Sequence, residues 1–271
     1  MPTLLRFKDL QPAWAVPRAT EPGYMRWLVS WLGGPEGYVN FNRDRAAASE
    51  RASMGFMAMP AGNRQAGLHK HTVTEIYVIL QGEVESIDHT GQSHFASPLD
   101  CISIPAGVPH GVRTCGTQDL HLVWVHDAIE KLGLSVYVDS AQPSDSDARI
   151  SIVRAPDLEP CWDAPRAREG GFLRWSISYI GSRPGSATNQ RVSLGITWIL
   201  PGNRDDLAPV AHARTLLLVR GSAVANLDHG NTVLAYLDAI HLPAGEALAI
   251  RALGDTPAGI LWLAEAAEGA P

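Results

Sequence analysis

The chain is poor in cysteine: its 271 residues include only Cys101, Cys115 and Cys161. A small, odd number argues against a disulfide framework as the source of stability. The opening run Met1-Pro2-Thr3-Leu4-Leu5-Arg6-Phe7-Lys8-Asp9 has neither the apolar core nor the cleavage site of a signal peptide. Together these features point to a reducing, cytoplasmic setting. No apolar run approaches the roughly 18 residues of a transmembrane helix, so no membrane association is expected. Basic clusters are missing as well, and a net charge of −6 argues against a nucleic-acid partner. Charged residues make up 18% and hydrophobic ones 45%, enough apolar material to bury a core. Long amphipathic helical periodicity is absent, which shifts the expectation to strands.

Short apolar runs bounded by Gly, Pro or Asp fill the chain. Met25-Arg26-Trp27-Leu28-Val29-Ser30-Trp31 and Leu120-His121-Leu122-Val123-Trp124-Val125 are examples, with counterparts Leu173-Arg174-Trp175-Ser176-Ile177-Ser178-Tyr179 and Ile260-Leu261-Trp262-Leu263. Many such runs with turn signals between them read as an all-β sandwich or barrel. The chain also repeats itself. EPGYMRWLVSWLGG from Glu21 returns as EGGFLRWSISYIGS from Glu169. Arg6, Asp9, Pro12 and Trp14 match Arg154, Asp157, Pro160 and Trp162. Gly62-Asn63-Arg64 matches Gly202-Asn203-Arg204, Pro105-Ala106-Gly107 matches Pro243-Ala244-Gly245, and Trp124 matches Trp262. This pattern predicts an internal duplication, with domains at 1–138 and 149–271. The polar stretch around 139–147 is the expected linker.

The chemistry concentrates in the first half. Gly62-x6-His69-x-His71-x3-Glu75-x6-Gly82 is followed by Pro105-x-Gly107-x2-His110. Three imidazoles and one carboxylate suit a divalent transition metal. Residues two apart on a strand share a face, so His69 and His71 project together. Glu75 lies an even number of residues further on and shares that parity. Tyr77 does too, which makes it a candidate to contact substrate or orient Glu75, with a core tyrosine as the alternative. His110 reads as the first residue of a separate strand. Phe56, Met57, Met59, Ile79, Ile102, Ile104, Val112 and Trp124 are expected to line the interior, and a mostly apolar wall suits a carbon-rich substrate. Arg26, Arg64 and Arg113 could meet an anionic group, although exposed arginines are the default. His121 and His126 have opposite parity, so at most one faces the interior, where it could act as a general acid or base.

These two motifs resemble those of the cupin superfamily. The family's first motif is a glycine, a His-x-His pair, a glutamate and a second glycine. Its second is Gly-Asp, then Pro-x-Gly and a histidine, often followed by Asn. Here the first glycine lies one residue further from His69 than usual, Leu99-Asp100 replaces Gly-Asp, and Thr114 replaces the Asn. The resemblance implies a double-stranded β-helix barrel with metal inside, held by His69, His71, Glu75 and His110. With the repeat, it implies a bicupin. The second half has lost the ligands: alignment on Gly221 sets Ala208, Val210 and Arg214 against His69, His71 and Glu75, whereas alignment on Gly202 sets Pro209, Ala211 and Thr215 there. Leu248 stands for His110. The second barrel is therefore expected to be structural; the alternative is a regulatory small-molecule site, hinted at only by Arg214 pointing inward, and the preferred reading of Arg214 is a surface arginine.

The resemblance implies a metal-dependent enzyme. The first reading is an Fe(II)-type dioxygenase acting on a small aromatic or diketone-like substrate, with Glu75 and Tyr77 as catalytic candidates. Mn, Zn, Ni, Co and Cu are the other metals the ligands accept. The second reading is a non-redox isomerase, lyase or polyketide cyclase. The third is a binding protein without turnover. The expected partner is a small-molecule substrate, and a homodimer is compatible with the exposed edges of such sheets.

Overall fold

A computed structural model describes residues 1–14, 18–34, 44–130, 136–138 and 148–265. The expected linker 139–147 lies outside these residues. In chain order the strands are β1 (Thr3–Leu5), β2 (Trp27–Gly33), β3 (Ala47–Ala48), β4 (Ser53–Met59), β5 (Leu68–Lys70), β6 (Glu75–Gln81), β7 (Glu83–Asp88) and β8 (Ser93–Ala96). They continue with β9 (Cys101–Ile104), β10 (His110–Cys115), β11 (Leu120–His126), β12 (Val136–Val138), β13 (Ser151–Val153), β14 (Cys161–Trp162), β15 (Arg174–Ile180) and β16 (Val192–Ile199). The last are β17 (Arg204–Leu207), β18 (Arg214–Arg220), β19 (Ser222–Leu227), β20 (Gly230–Leu234), β21 (Ala239–Leu242), β22 (Leu248–Leu253) and β23 (Ala258–Glu265). Among the described residues the only α-helix is the single turn Ala164–Ala167. None is long and apolar enough to cross a membrane.

Two compact units emerge, Leu10–Ala155 and Met1–Asp9 with Pro156–Pro271. The first nine residues thus group with the second half of the chain, because β1 pairs antiparallel with β21. The segment at the start of the second half does the reverse: β13 pairs with β9 inside Leu10–Ala155. The same clasp fixes both strands. Arg6 Nη1 donates to Asp238 Oδ2 at 2.6 Å and the Phe7 amide to Asp238 Oδ1 at 3.0 Å. Arg154 Nη1 donates to Asp100 Oδ2 at 2.6 Å and the Ala155 amide to Asp100 Oδ1 at 3.2 Å.

The Leu10–Ala155 unit has a seven-stranded sheet, in the order β13-β9-β6-β11-β4-β2-β3, and a five-stranded sheet, β12-β5-β10-β7-β8. Met57, Tyr77, Ile102 and Trp124 from the larger sheet and Val84, Ala96 and Val112 from the smaller one form one buried cluster. The sheets therefore face each other across a core of alternating inward side chains. Gly55 permits the tightest approach in this unit: a Cβ there would collide with the Trp124 ring and the Val29 carbonyl. Leu99, where the cupin pattern usually has glycine, adopts the left-handed backbone with φ 73°. Its amide still donates to the Ile79 carbonyl at 2.7 Å. The other unit also has two sheets, the seven-stranded β1-β21-β18-β23-β16-β15-β14 and the four-stranded β17-β22-β19-β20.

Candidate metal centre

His69, His71, Glu75 and His110 converge, each buried, with one ligating atom apiece all within 4.8 Å of one another. The convergence has a different origin from the one parity suggests. His69 lies on β5 of the five-stranded sheet and Glu75 opens β6 of the seven-stranded one. The chain leaves strand geometry between them, and His71 sits on that crossing. His110 opens β10, as expected, and its backbone pairs with His69. The site therefore straddles the two sheets at the point where one strand hands over to the next.

Glu75 Oε2 is the centre of the cluster. It lies 2.8 Å from His110 Nε2, 3.1 Å from His71 Nε2 and 3.8 Å from His69 Nε2. His110 Nδ1 is 2.9 Å from the Val108 carbonyl oxygen. A carbonyl only accepts, so Nδ1 donates to it and Nε2 is the ring nitrogen turned toward the carboxylate. Imidazole nitrogens gathered on one buried carboxylate need positive charge among them, as protons on the rings or as a metal ion. Three imidazoles and one carboxylate are the donors a divalent transition metal takes, so these residues fit such an ion.

Electrostatics follow from burial. Desolvation, aided by the neighbouring His110, pushes His69 down to about 3. Burial also opposes charge on His71, but the Glu75 carboxylate outweighs it and holds His71 above its ordinary value. Glu75 is held well below the usual carboxylate range: burial acts against this, and the charge of His71 with hydrogen bonds from His110, His126 and His69 overcomes it.

A fourth histidine joins the site. His126 ends β11 directly opposite Glu75 in the β11–β6 register, with Nε2 3.4 Å from Glu75 Oε1. Its ring centroid is 4.6 Å from that of His71. His121, of opposite parity, lies against Phe56 instead, with centroids 5.3 Å apart. Sequence reasoning missed Glu130. This buried carboxylate accepts from the Thr72 amide at 2.7 Å, and its Oε2 is 3.9 Å from His71 Nδ1. The run Asp127-Ala128-Ile129-Glu130 carries no signal of this, because the contact spans a chain reversal. Tyr77 is buried in the apolar core, its ring centroid 6.3 Å from that of His110.

The apolar wall is as expected except at one residue. Met57, Met59, Ile79, Ile102, Ile104, Val112 and Trp124 belong to one cluster. Phe56 does not: adjacent to Met57 on β4, it points the other way and packs on Trp27, with centroids 5.2 Å apart, and on Trp31. The three arginines serve elsewhere. Arg26 is buried, against the exposed default, and donates to the Tyr24 carbonyl at 3.2 Å. Arg113 pairs with Glu85. Arg64 donates to the Tyr24 hydroxyl at 3.0 Å, beside a cavity of about 430 Å³ that none of the four metal ligands lines.

Residues 55–126 match the family model described as Cupin domain. The chain carries a cupin domain. Its span holds all four metal ligands and His126. No curated protein sequence matches the chain. Three solved structures show the same fold. The bacterial pirin YhhW of Escherichia coli, in complex with nickel(II), is 14% identical with a TM-score of 0.66, covering 98% of this chain and 99% of its own. The oxalate decarboxylase of Lactobacillus farciminis, as a formate complex, is 16% identical with a TM-score of 0.65, covering 97% and 86%. A mutant of the salicylate 1,2-dioxygenase of Pseudoaminobacter salicylatoxidans is 15% identical with a TM-score of 0.57, covering 80% and 71%. The likeness of fold extends over 80–98% of the chain, while the metal motif lies in the Leu10–Ala155 unit.

Proposed function

We propose that the chain is a bicupin whose Leu10–Ala155 barrel is a metal-dependent dioxygenase, with iron as the resident ion and a small aromatic or diketone-like compound as substrate. Duplication is supported by the paired Arg–Asp clasps and by strand orders that repeat between the units. The observation that carries the reading is the buried His69–His71–Glu75–His110 cluster beside a wall of apolar side chains. A protein-rich set of four ligands leaves positions open on a six-coordinate ion, whereas a structural site is closed and tetrahedral, often with cysteine. Relatives of this fold include one solved with nickel(II) and one named as a dioxygenase.

The ion would supply polarisation of substrate oxygens and, as iron, a path by which the substrate's own electrons reach dioxygen. The protein supplies the rest. Val108 fixes the His110 ring through Nδ1, which keeps Nε2 directed inward. Glu130 stands behind His71. Glu75 holds Oε2 toward the imidazoles and Oε1 toward His126, so its second oxygen is placed to take a proton from a bound substrate. Met57, Ile102, Ile104 and Trp124 keep water out, and Tyr77 packs beside His110 to limit its rotation.

The test is oxygen uptake by the purified protein on a panel of small diols and diketones, with label from ¹⁸O₂ followed into product. Uptake with incorporation, at least about a hundredfold slower in Glu75→Gln, is expected. Turnover of panel compounds under strict anaerobiosis, with zinc or magnesium sufficing, would replace the dioxygenase reading with a lyase or isomerase one.

A further inference from the structure

The unit formed by Met1–Asp9 and Pro156–Pro271 contains a cavity of about 340 Å³. Backbone pairing identifies what stands there. In the Leu10–Ala155 unit His110 pairs with His69, His126 pairs with Glu75, and the Gly107 amide donates to the His71 carbonyl at 2.8 Å. In the other unit Leu248 pairs with Leu207, Ala264 pairs with Arg214, and the Gly245 amide donates to the Val210 carbonyl at 2.8 Å. Leu207, Val210, Arg214 and Ala264 all line the cavity. Alkyl groups thus occupy the positions of the imidazoles, and a guanidinium occupies the position of the carboxylate. Neither sequence alignment sets Leu207 against His69; the strand register does.

We propose that this cavity binds a small organic carboxylate with an apolar, ring-sized body, held through Arg214. A site built around a carboxylate attracts cations; the same backbone built around a guanidinium attracts anions. Among the charged side chains on the lining, Arg174, Arg183 and Arg214 stand against Asp205 alone. Arg174 is already engaged, with Nε 2.7 Å from Asp205 Oδ1 and Nη2 3.4 Å from Asp163 Oδ2. That leaves Arg214 inside and the exposed Arg183 at the rim. Arg214 Nη2 donates to the Ala208 carbonyl at 2.7 Å, while its buried Nε has no hydrogen-bond partner. A buried guanidinium donor without an acceptor costs free energy that an incoming carboxylate would recover. Ile199, Leu216, Ile250, Ile260 and Trp262 make the rest of the surface apolar. A single inward guanidinium next to Asp205 favours one negative charge over several.

Titration calorimetry of the intact chain with benzoate, and with benzamide as its neutral counterpart, tests this. Benzoate is expected to bind at about 1 mM or tighter, and benzamide at least about tenfold more weakly. Arg214→Leu should lose at least about tenfold in benzoate affinity with the metal content of the chain unchanged, which separates this cavity from the cupin metal centre. Val210→Phe, which keeps Arg214 and fills part of the cavity, should weaken benzoate as well and decides the matter if Arg214→Leu does not fold. Benzoate binding that survives both substitutions, equal affinity for benzamide, or no heat of binding up to about 20 mM would each overturn the proposal.

Discussion

Glu75 is the residue on which the account turns, because four imidazole nitrogens lie within 3.8 Å of its two oxygens. Its neighbours differ in how visible they are in the sequence. His69, His71 and His110 stand in two compact motifs whose resemblance to the cupin pattern picks them out. His126 is visible only as one of two candidates, because its place beside Glu75 depends on the β11–β6 register. Glu130 leaves no trace, since it meets Thr72 across 58 residues of chain. Phe56 shows the limit of reading apolar runs: β4 is buried along its whole length, so composition does not separate the inward Met57 from the outward Phe56. Gly55 is the residue whose local role is sharpest. Gly55→Ala would drive a methyl into the Trp124 ring and the Val29 carbonyl. It should lower stability by about 1–3 kcal/mol in urea unfolding. An unchanged midpoint would show that β4 and β2 can separate without cost.

At the scale of elements, alternation and turn residues made the strands legible. β10 begins at His110 and β11 at Leu120, as the runs suggest. The reversal between His69 and Glu75 was not legible: Lys70 to Thr74 holds no glycine or proline, and even spacing mimics a single continuous strand. The β7–β8 hairpin illustrates how a polar side chain closes such a reversal. Asp88 Oδ1 accepts from the Thr90 amide at 2.8 Å, the Thr90 hydroxyl at 2.6 Å and the Gln92 amide at 3.1 Å, while Oδ2 lies 3.2 Å from His94 Nε2. Burial alone would raise its pKa; these partners outweigh burial and hold it below the usual carboxylate range. A carboxylate with a depressed folded-state value contributes stability that is complete above its unfolded value of about 3.9 and is lost as pH falls through the folded value. Asp88→Asn should therefore cost about 1–3 kcal/mol at pH 7, with the gap to the parent protein narrowing below about pH 4. A gap of constant size down to pH 2 would assign the effect to shape and not to charge.

At the scale of the whole molecule, the repeat was readable but its consequence was not. Arg6 and Arg154 are matched in the sequence and make matching contacts with Asp238 and Asp100, yet the sequence does not say that β1 joins β21 and β13 joins β9. That choice depends on which sheet edges are open, a property of the folded units. Each Arg–Asp clasp should then stabilise only its own unit. Arg154→Ala is expected to lower the calorimetric transition of the Leu10–Ala155 unit by about 1 kcal/mol equivalent and leave the other in place. Equal shifts in both would show that the units melt as one. In sequence Arg214 resembles any surface arginine; in the fold it is half-buried at the position that Glu75 holds in the other unit.

The most direct test of the metal centre is elemental mass spectrometry on protein purified without added metal, run beside His71→Ala. About one transition-metal ion per parent chain is expected, with a drop of at least about tenfold in the variant, because a site short of one imidazole loses both a donor and the partner of Glu75. Equal metal in parent and variant would contradict the ligand assignment, and with it the placement of the centre at Glu75.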